Sequence, residues 1–587
     1  MTPPLNPDLV IARRRLRLLG GLFAVALAAL GLRVVDLTLS VDEMIGAHAM
    51  TSAAPRGRAD ILDRNGVLLA TDYPKLSLYA DPLSISNPAT VAAELARVLS
   101  GLDVPRLQAR LEQKRRFVWV KRHISERERD AVMRLGLPGV GVRTEMHRVY
   151  PQRALTSHLI GFVGVENQGL AGIERSFEPR LIDPETAGRP LALTLDLRVQ
   201  EVVRSELLGA VQRFRAEGGS ALVLDAASGE VLAMASLPDF DPNHYRSAEP
   251  LARFNRNTQG AYELGSLFKV FTAAMALDSG VVAVDDAVDA IEPLAVGRHR
   301  IRDFHAHKRR LSVAEVVAFS SNIGAAKMAQ ALGSDVQRAY FDRLGLTTRH
   351  PIRLPEVGTP QLPDPWRPIN TVTAAYGHGI AVSPLQVADG LAAALCGTAS
   401  RRPAHLVAED APPSVPPALV DPGSSAKLRW LMWLTVSEGT GNLAAVPGYL
   451  VGGKTGSADR AGPGGYGSGG ILASFVAAFP IDQPRYVVLV ILDRPQGDAS
   501  TYHQAHGGWT AAPTAGRIIS RIGPMLGLAP VEAHREAWFR ERLIEGEAFN
   551  GRLERSEKSL AARRDLPWSW DWQGRGACGC GPCSILG

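Results

Sequence analysis

Ser266 and Lys269 stand three residues apart in "YELGSLFKVFTAAMALDSG", residues 262–280. The apolar residues that follow them have helical spacing, and Gly280 suits the C′ position that ends a helix. On a helix, positions i and i+3 share a face, so the hydroxyl and the amine would meet. A serine hydroxyl is a poor nucleophile until a base takes its proton, and a lysine can do so if burial lowers its pKa. The bland alternative is a capping serine beside a solvated lysine. The spacing alone is cheap, because Ser424 and Lys427 in "SSAK" repeat it. That second pair reads as part of a "DPGSSAK" loop, whereas Ser266 heads an apolar helix.

Two other segments could complete a site. Ser320-Ser321-Asn322, in "AFSSNIGAAKMAQAL", reads as a helix start after a polar loop. A second hydroxyl could relay a proton, and an amide could hold a substrate amide. Lys454-Thr455-Gly456-Ser457, in "VGGKTGSADR", reads as a strand before a glycine-rich loop. A lysine and two hydroxyls suit an anionic ligand, and the glycine lets that ligand lie against the strand. Each motif alone has a structural explanation. The ordered set of S-x-x-K, S-x-N and K-T-G does not arise so cheaply.

The elements that must position these residues form an α+β pattern. Residues 191–195 read as a strand and 198–208 as a helix. Two strands then flank the turn Ala227-Ser228-Gly229, as a hairpin with one partly buried face. "YLVGGKTGSA", "ILASFVAAFP" and "RYVVLVILDRP" read as three late strands, so the sheet is assembled from both ends of residues 186–530. Upstream, Asn65-Gly66 between "DILDR" and "VLLAT" predicts a type I′ hairpin turn. Residues 88–140 read as charged helices and 141–185 as irregular chain. Residues 531–587 begin as a charged helix and end in a tail bearing tryptophans and cysteines.

At the N-terminus, Arg13, Arg14, Arg15 and Arg17 precede an apolar run from Leu18 to Leu32. Arg33 could snorkel, and Val34 and Val35 extend the run towards spanning length. The positive-inside rule puts residues 1–16 in the cytoplasm, an anchor at 17–38, and the rest across the membrane. A cleaved signal peptide is the rival, with Ala47 and Ala49 as an A-x-A-like site that lies far from the run. A net charge of +6 on 587 residues, with no basic run interleaved with aromatics, does not point to nucleic acid. Cys578, Cys580 and Cys583 are one ligand short of a Cys-only zinc set, and Cys396 reads as a small buried residue. His305 and His307 offer two ligands at most and read as a solvated rim loop. Lys308-Arg309-Arg310 reads as a solvated face, and "YGHG" at 376–379 as lining of the core or cleft.

With those motifs in order, the sequence resembles a monofunctional class B penicillin-binding protein. "RGRADILDRNGVLLA", "RVYPQRALTSHLIGFVG", "GLAGIERSFE" and "LTLDLRVQ" are similar to that family's membrane-proximal pedestal and its junction with the catalytic domain. The similarity runs over residues 10–530. "SEGTGNLAAVPGYLVGGKTGSA" is closer to the division-specific branch. Leu264 stands where many relatives have proline, and Ser457 where many have threonine.

The resemblance implies a transpeptidase domain of the serine β-lactamase-like fold at 186–530, on a pedestal at 39–185. It implies a peptidoglycan D,D-transpeptidase acting on stem peptides that end in D-Ala-D-Ala. Ser266 would be the nucleophile, Lys269 its base and Ser320 a proton relay. Lys454 would support the proton network, and Asn322, Thr455, Gly456 and Ser457 would hold substrate. No metal or organic cofactor is implied. β-Lactams would acylate the serine. The implied partners are peptidoglycan strands, a membrane-embedded glycosyltransferase and other division proteins. The implied location is the inner membrane, with the catalytic domain in the periplasm at the septum. Rival readings are an elongation-type transpeptidase, a D,D-carboxypeptidase or β-lactamase, and a non-catalytic division scaffold or β-lactam sensor. No E-x-x-L-N segment supplies a deacylating glutamate, and the cytoplasmic segment is too short for a signalling domain.

Overall fold

The computed structural model describes residues 57–531 except 187, 398–400, 411–418 and 463–464, together with 15, 17–33 and 35. Residues 17–33 are helical and exposed. Among the described residues no helix is long and apolar enough to cross a membrane. Part of the expected anchor, the charged helix after 531 and the three C-terminal cysteines lie outside the described residues.

The described chain divides into two compact units. The smaller contains residues 71–149 and 180–189. Residues 60–70 and 150–179 belong to the larger unit. In the smaller unit, residues 71–80 of the strand Leu68–Ala80 pair antiparallel with Val118–Ile124 and Val140–Val149. Helices Pro88–Val98, Val104–Leu111 and Glu126–Arg134 contribute to its core. Each starts where its sequence says it should. Asn87 accepts from Thr90 N, Asp103 from Arg106 N, and Ser125 forms a capping box with Glu128. Leu78, Leu95, Leu107 and Val132 fill the core. The helical reading of 88–140 missed the strand at 118–124. The irregular reading after 141 missed the strand at 140–149, whose residues are mostly half-buried and so give no clean alternation.

In the larger unit, Ile61–Leu62 pairs back on Leu68–Ala70, as the Asn65-Gly66 signal required. The turn is not type I′. Gly66 has φ +83°, but Asn65 is not left-handed. The buried Asp63 carboxylate accepts from the backbone N–H groups of Asn65 and Val67 and sets the turn instead.

The central sheet holds β1 (Gly218–Asp225), β2 (Val231–Leu237), β3 (Gly452–Gly462), β4 (Gly465–Phe479) and β5 (Tyr486–Asp493). Its order is β3-β4-β5-β1-β2, antiparallel throughout, so β3 is an edge. Helices α1 (Leu197–Arg213), α2 (Phe268–Asp278), α3 (Asn322–Leu332), α4 (Pro422–Ser437) and α5 (Ala511–Met525) surround it. Val202 and Leu207 of α1 and Ile518 and Ile519 of α5 share one core with Val488 and Val490 of β5. α4 packs on β3 and on α2. The β1–β2 hairpin is therefore buried on both faces, not one, and all of β2 and β5 is buried. Helices on both sides explain why these strands read as unbroken apolar runs.

Candidate active site

Ser266 lies in the single turn Gly265–Leu267 that leads into α2. Gly265 has φ +56°, and a Cβ there would stand 2.9 Å from the Ser457 carbonyl oxygen, so only glycine fits. Neither Leu264 nor Leu267 caps with a side chain. The Ser266 hydroxyl instead meets Lys269 Nζ at 3.0 Å. α2 is buried from Phe268 to Leu277, and that burial takes Lys269 to 0% exposure.

Ser321 is the N-cap of α3 and accepts from Gly324 N. Ser320, just before it, has φ +62°. The segment does not follow a polar loop as expected. It follows the short helix Val313–Ala318, started by a capping box between Ser312 and Glu315. This turn lies over α2. Lys269 Nζ is 2.5 Å from the Ser320 carbonyl oxygen, 3.0 Å from Ser320 Oγ and 2.7 Å from Asn322 Oδ1.

Those partners determine how the amine is used. Burial, then the Lys454 charge, hold Lys269 well below the ordinary lysine pKa, with Asp303 opposing. A neutral amine has two hydrogens and one lone pair. The Ser320 carbonyl and Asn322 Oδ1 can only accept, so they take the hydrogens. The lone pair is left for the two groups that can donate, the Ser266 and Ser320 hydroxyls. Lys269 thus joins the two serines.

Lys454 on β3 is 0% exposed, and burial lowers its pKa to about 7. Its Nζ is 3.2 Å from the Thr455 carbonyl oxygen and 3.4 Å from Thr455 Oγ1. Thr455 Oγ1 pairs with Thr440 Oγ1 at 2.8 Å, and Ser457 Oγ accepts from Gly507 N at 3.0 Å. A Cβ on Gly456 would stand 2.7 Å from the Leu264 carbonyl oxygen and 2.9 Å from Leu267 Cγ. The missing side chain lets β3 lie directly against the turn that carries Ser266. The structure therefore brings S-x-x-K, S-S-N and K-T-G together.

Residues 219–520 match the family model for the penicillin binding protein transpeptidase domain. The chain belongs to that family. Residues 51–182 match the penicillin-binding protein dimerisation domain. The chain is 38% identical over 496 residues to a probable peptidoglycan D,D-transpeptidase FtsI of Caulobacter vibrioides, covering 82% of this chain and 83% of that one. It is 31% identical over 553 residues to the peptidoglycan D,D-transpeptidase FtsI of Escherichia coli K12, covering 88% and 92%. Among solved structures, penicillin binding protein 3 of Mycobacterium tuberculosis complexed with aztreonam shares the fold. Its TM-score is 0.63 at 22% identity, over 81% of this chain and 98% of that chain.

Other residues of this penicillin-binding protein differ from the sequence reading in detail. Ser424 and Lys427 are not in a loop but in the first turns of α4, capped by Asp421 with Pro422 at its start. The Ser266 spacing thus recurs on a second helix start. "YGHG" packs on the turn that carries Ser266, since a Cβ on Gly377 would stand 2.2 Å from the Gly265 carbonyl oxygen. His305 is exposed and meets the Phe304 ring, which also meets His506. Arg309 pairs with Glu315. Cys396 is half-buried, with burial pushing its thiol up. Sequence reasoning missed Thr440, Gly507, Arg302 and Asp303. No spacing marks them, because each reaches the site only through the fold.

Proposed function

We propose that the chain is a peptidoglycan D,D-transpeptidase that crosslinks stem peptides through an acyl-enzyme on Ser266. The carrying observation is the fully buried Lys269 Nζ, within 3.0 Å of both the Ser266 and Ser320 hydroxyls. Ser266 Oγ attacks the carbonyl carbon of the penultimate D-Ala, and its proton passes to neutral Lys269. Ser320 hands a proton to the departing D-Ala amine. Asn322 holds a substrate amide, while Thr455 and Ser457, with Lys454 close behind, receive the terminal carboxylate. The backbone N–H groups of Ser266 and Ser457 form the oxyanion hole, a device that counts most where charge develops. An amine from a neighbouring stem then displaces Ser266 and forms the crosslink. β-Lactams acylate the same oxygen.

The relatives named FtsI support a role in division. The arginines before Leu18 and the apolar run to Leu32 support a single-pass anchor in the inner membrane. With such an anchor the catalytic domain would lie in the periplasm, and a division role would bring it to the septum beside a glycosyltransferase and other division proteins. The deciding experiment combines labelled penicillin with the natural reaction. The parent chain forms a long-lived adduct and crosslinks stem peptides, and Ser266→Ala does neither. Rapid turnover of the penicillin would make it a hydrolase. Normal division in cells carrying only Ser266→Ala would make it a scaffold.

A further inference from the structure

The S-S-N turn has an awkward geometry to maintain. Ser320 is held at φ +62°, a conformation non-glycine residues seldom adopt and which surroundings must enforce. Its carbonyl and its hydroxyl must both face Lys269, and so must the oxygen of the next-but-one amide. Ser321 caps α3 by accepting from Gly324 N, but this leaves other first-turn N–H groups unpaired.

A separate segment supplies what is missing. Asp303 Oδ1 accepts from Ile323 N at 2.9 Å, and Asp303 Oδ2 accepts from Ser321 Oγ at 2.8 Å. The carboxylate therefore bridges the capping hydroxyl and the first turn of α3. Its neighbour sets Asn322. The Arg302 carbonyl oxygen accepts from Asn322 Nδ2 at 2.9 Å, and a carbonyl can only accept. That bond fixes the amide orientation and turns Oδ1 towards Lys269.

We infer that Asp303 is the positioning residue of the S-S-N turn, holding Ser320 and Asn322 in register with Lys269 from outside both motifs. It does not touch substrate. Its charge also reaches the base. Lys454 from β3 and Asp303 from this loop are the charged groups that bear on Lys269, with opposite signs. The inference rests on Ser266 being the acylated residue and Lys269 its base.

The test is acylation of the full-length chain in detergent by a fluorescent penicillin, measured to saturation and across pH. Ser266→Ala is run beside it, and labelling that survives there defeats the site assignment itself. With that control silent, Asp303→Ala should lower the saturating acylation rate by ~100-fold, the scale of a misplaced catalytic group. The half-saturating concentration should change far less than the rate, because Thr455 and Ser457 on β3 still receive the carboxylate and only the Asn322 contact is disturbed. Asp303→Asn keeps an oxygen for Ile323 N and a polar partner for Ser321. It should restore most of the rate and move the acid limb to lower pH, since the charge that favours protonated Lys269 is gone. A saturating rate for Asp303→Ala within about threefold of the parent overturns the inference, as does a loss confined to affinity. If Asp303→Ala does not fold, Asp303→Asn decides. An unchanged rate with an unmoved acid limb then overturns it.

Discussion

Lys269 on α2 and Lys454 on β3 are both sealed from solvent, and the charge of Lys454 adds to burial in depressing the pKa of Lys269. Acylation should therefore run on neutral Lys269 at neutral pH, with an acid limb well below the ordinary lysine range. Replacing Lys454 by methionine removes the like charge, so Lys269 holds its proton more tightly and the acid limb moves to higher pH. The plateau should also fall, by ~10²-fold, through loss of a preorganised charge. A pH series of penicillin acylation on the parent and Lys454→Met checks both. An acid limb that stays put would show that the two lysines are uncoupled.

Lys454 also leaves a mark on stability. Its pKa is about 7 in the folded chain, against an ordinary 10.5. Between those values the unfolded chain binds more protons than the folded one, so stability rises with pH through that window. Below pH 7 the buried lysine is charged in both states and its cost is at its greatest. Chemical denaturation from pH 7 to 9.5 should show the upward slope. Lys454→Met should lessen the slope, leaving the share that buried Lys269 contributes, and stabilise the protein at pH 7 by on the order of a few kcal/mol, because a buried amine with little compensation is replaced by an apolar side chain. A matching slope in both proteins would mean that Lys454 is effectively solvated.

Gly456→Ala tests whether the close approach of β3 to the Ser266 turn is required. The added methyl would meet the Leu264 carbonyl oxygen at 2.7 Å and Ser474 Oγ at 2.3 Å. The first is backbone and cannot swing aside, so the strand must move off the turn. Overpacking of this kind costs ~1–3 kcal/mol. A shift of about 1 Å at the catalytic groups costs ~10²-fold in rate. Thermal unfolding and acylation measured on the same preparation should both report the loss. Acylation at the parent rate would show that the site tolerates a wider gap.

The three motifs were legible because each pairs unusual residue types at fixed short spacing. The late strands were legible because a sheet covered on both faces gives continuous apolar runs, as in Tyr486–Asp493. The strand Val140–Val149 was not, because half-buried side chains on both faces erase the alternation. The Asn65-Gly66 hairpin was legible but its turn type was not, since Asp63 supplies from outside the dipeptide the acceptor that sets it. Asp303 and Thr440 were invisible for a related reason. Asp303 lies 18 residues from Ser321, and Thr440 lies 15 from Thr455. Only tertiary closure gives either of them a partner in the site.

Asp493, at the end of β5, accepts from Arg256 at 2.8 Å and from Arg460 at 2.6 Å. The two arginines are not equivalent. The Arg256 side chain is 8% exposed and that of Arg460 39% exposed, while the Asp493 side chain is only 4% exposed. Asp493→Ala therefore leaves the buried Arg256 guanidinium without its carboxylate, with the neutral Leu237 carbonyl oxygen at 2.9 Å as acceptor, and removal of one partner from a buried pair costs ~3–5 kcal/mol. Arg460→Ala removes a half-exposed partner and leaves the Arg256 pair intact, so its cost should be about 1 kcal/mol or less. Replacing Arg256 and Asp493 together by apolar residues of similar volume should recover most of the loss, since neither charge is then left unpaired. Urea denaturation of the three variants orders these cases. Equal losses from Asp493→Ala and Arg460→Ala would mean that the buried Arg256 finds another partner when Asp493 is removed.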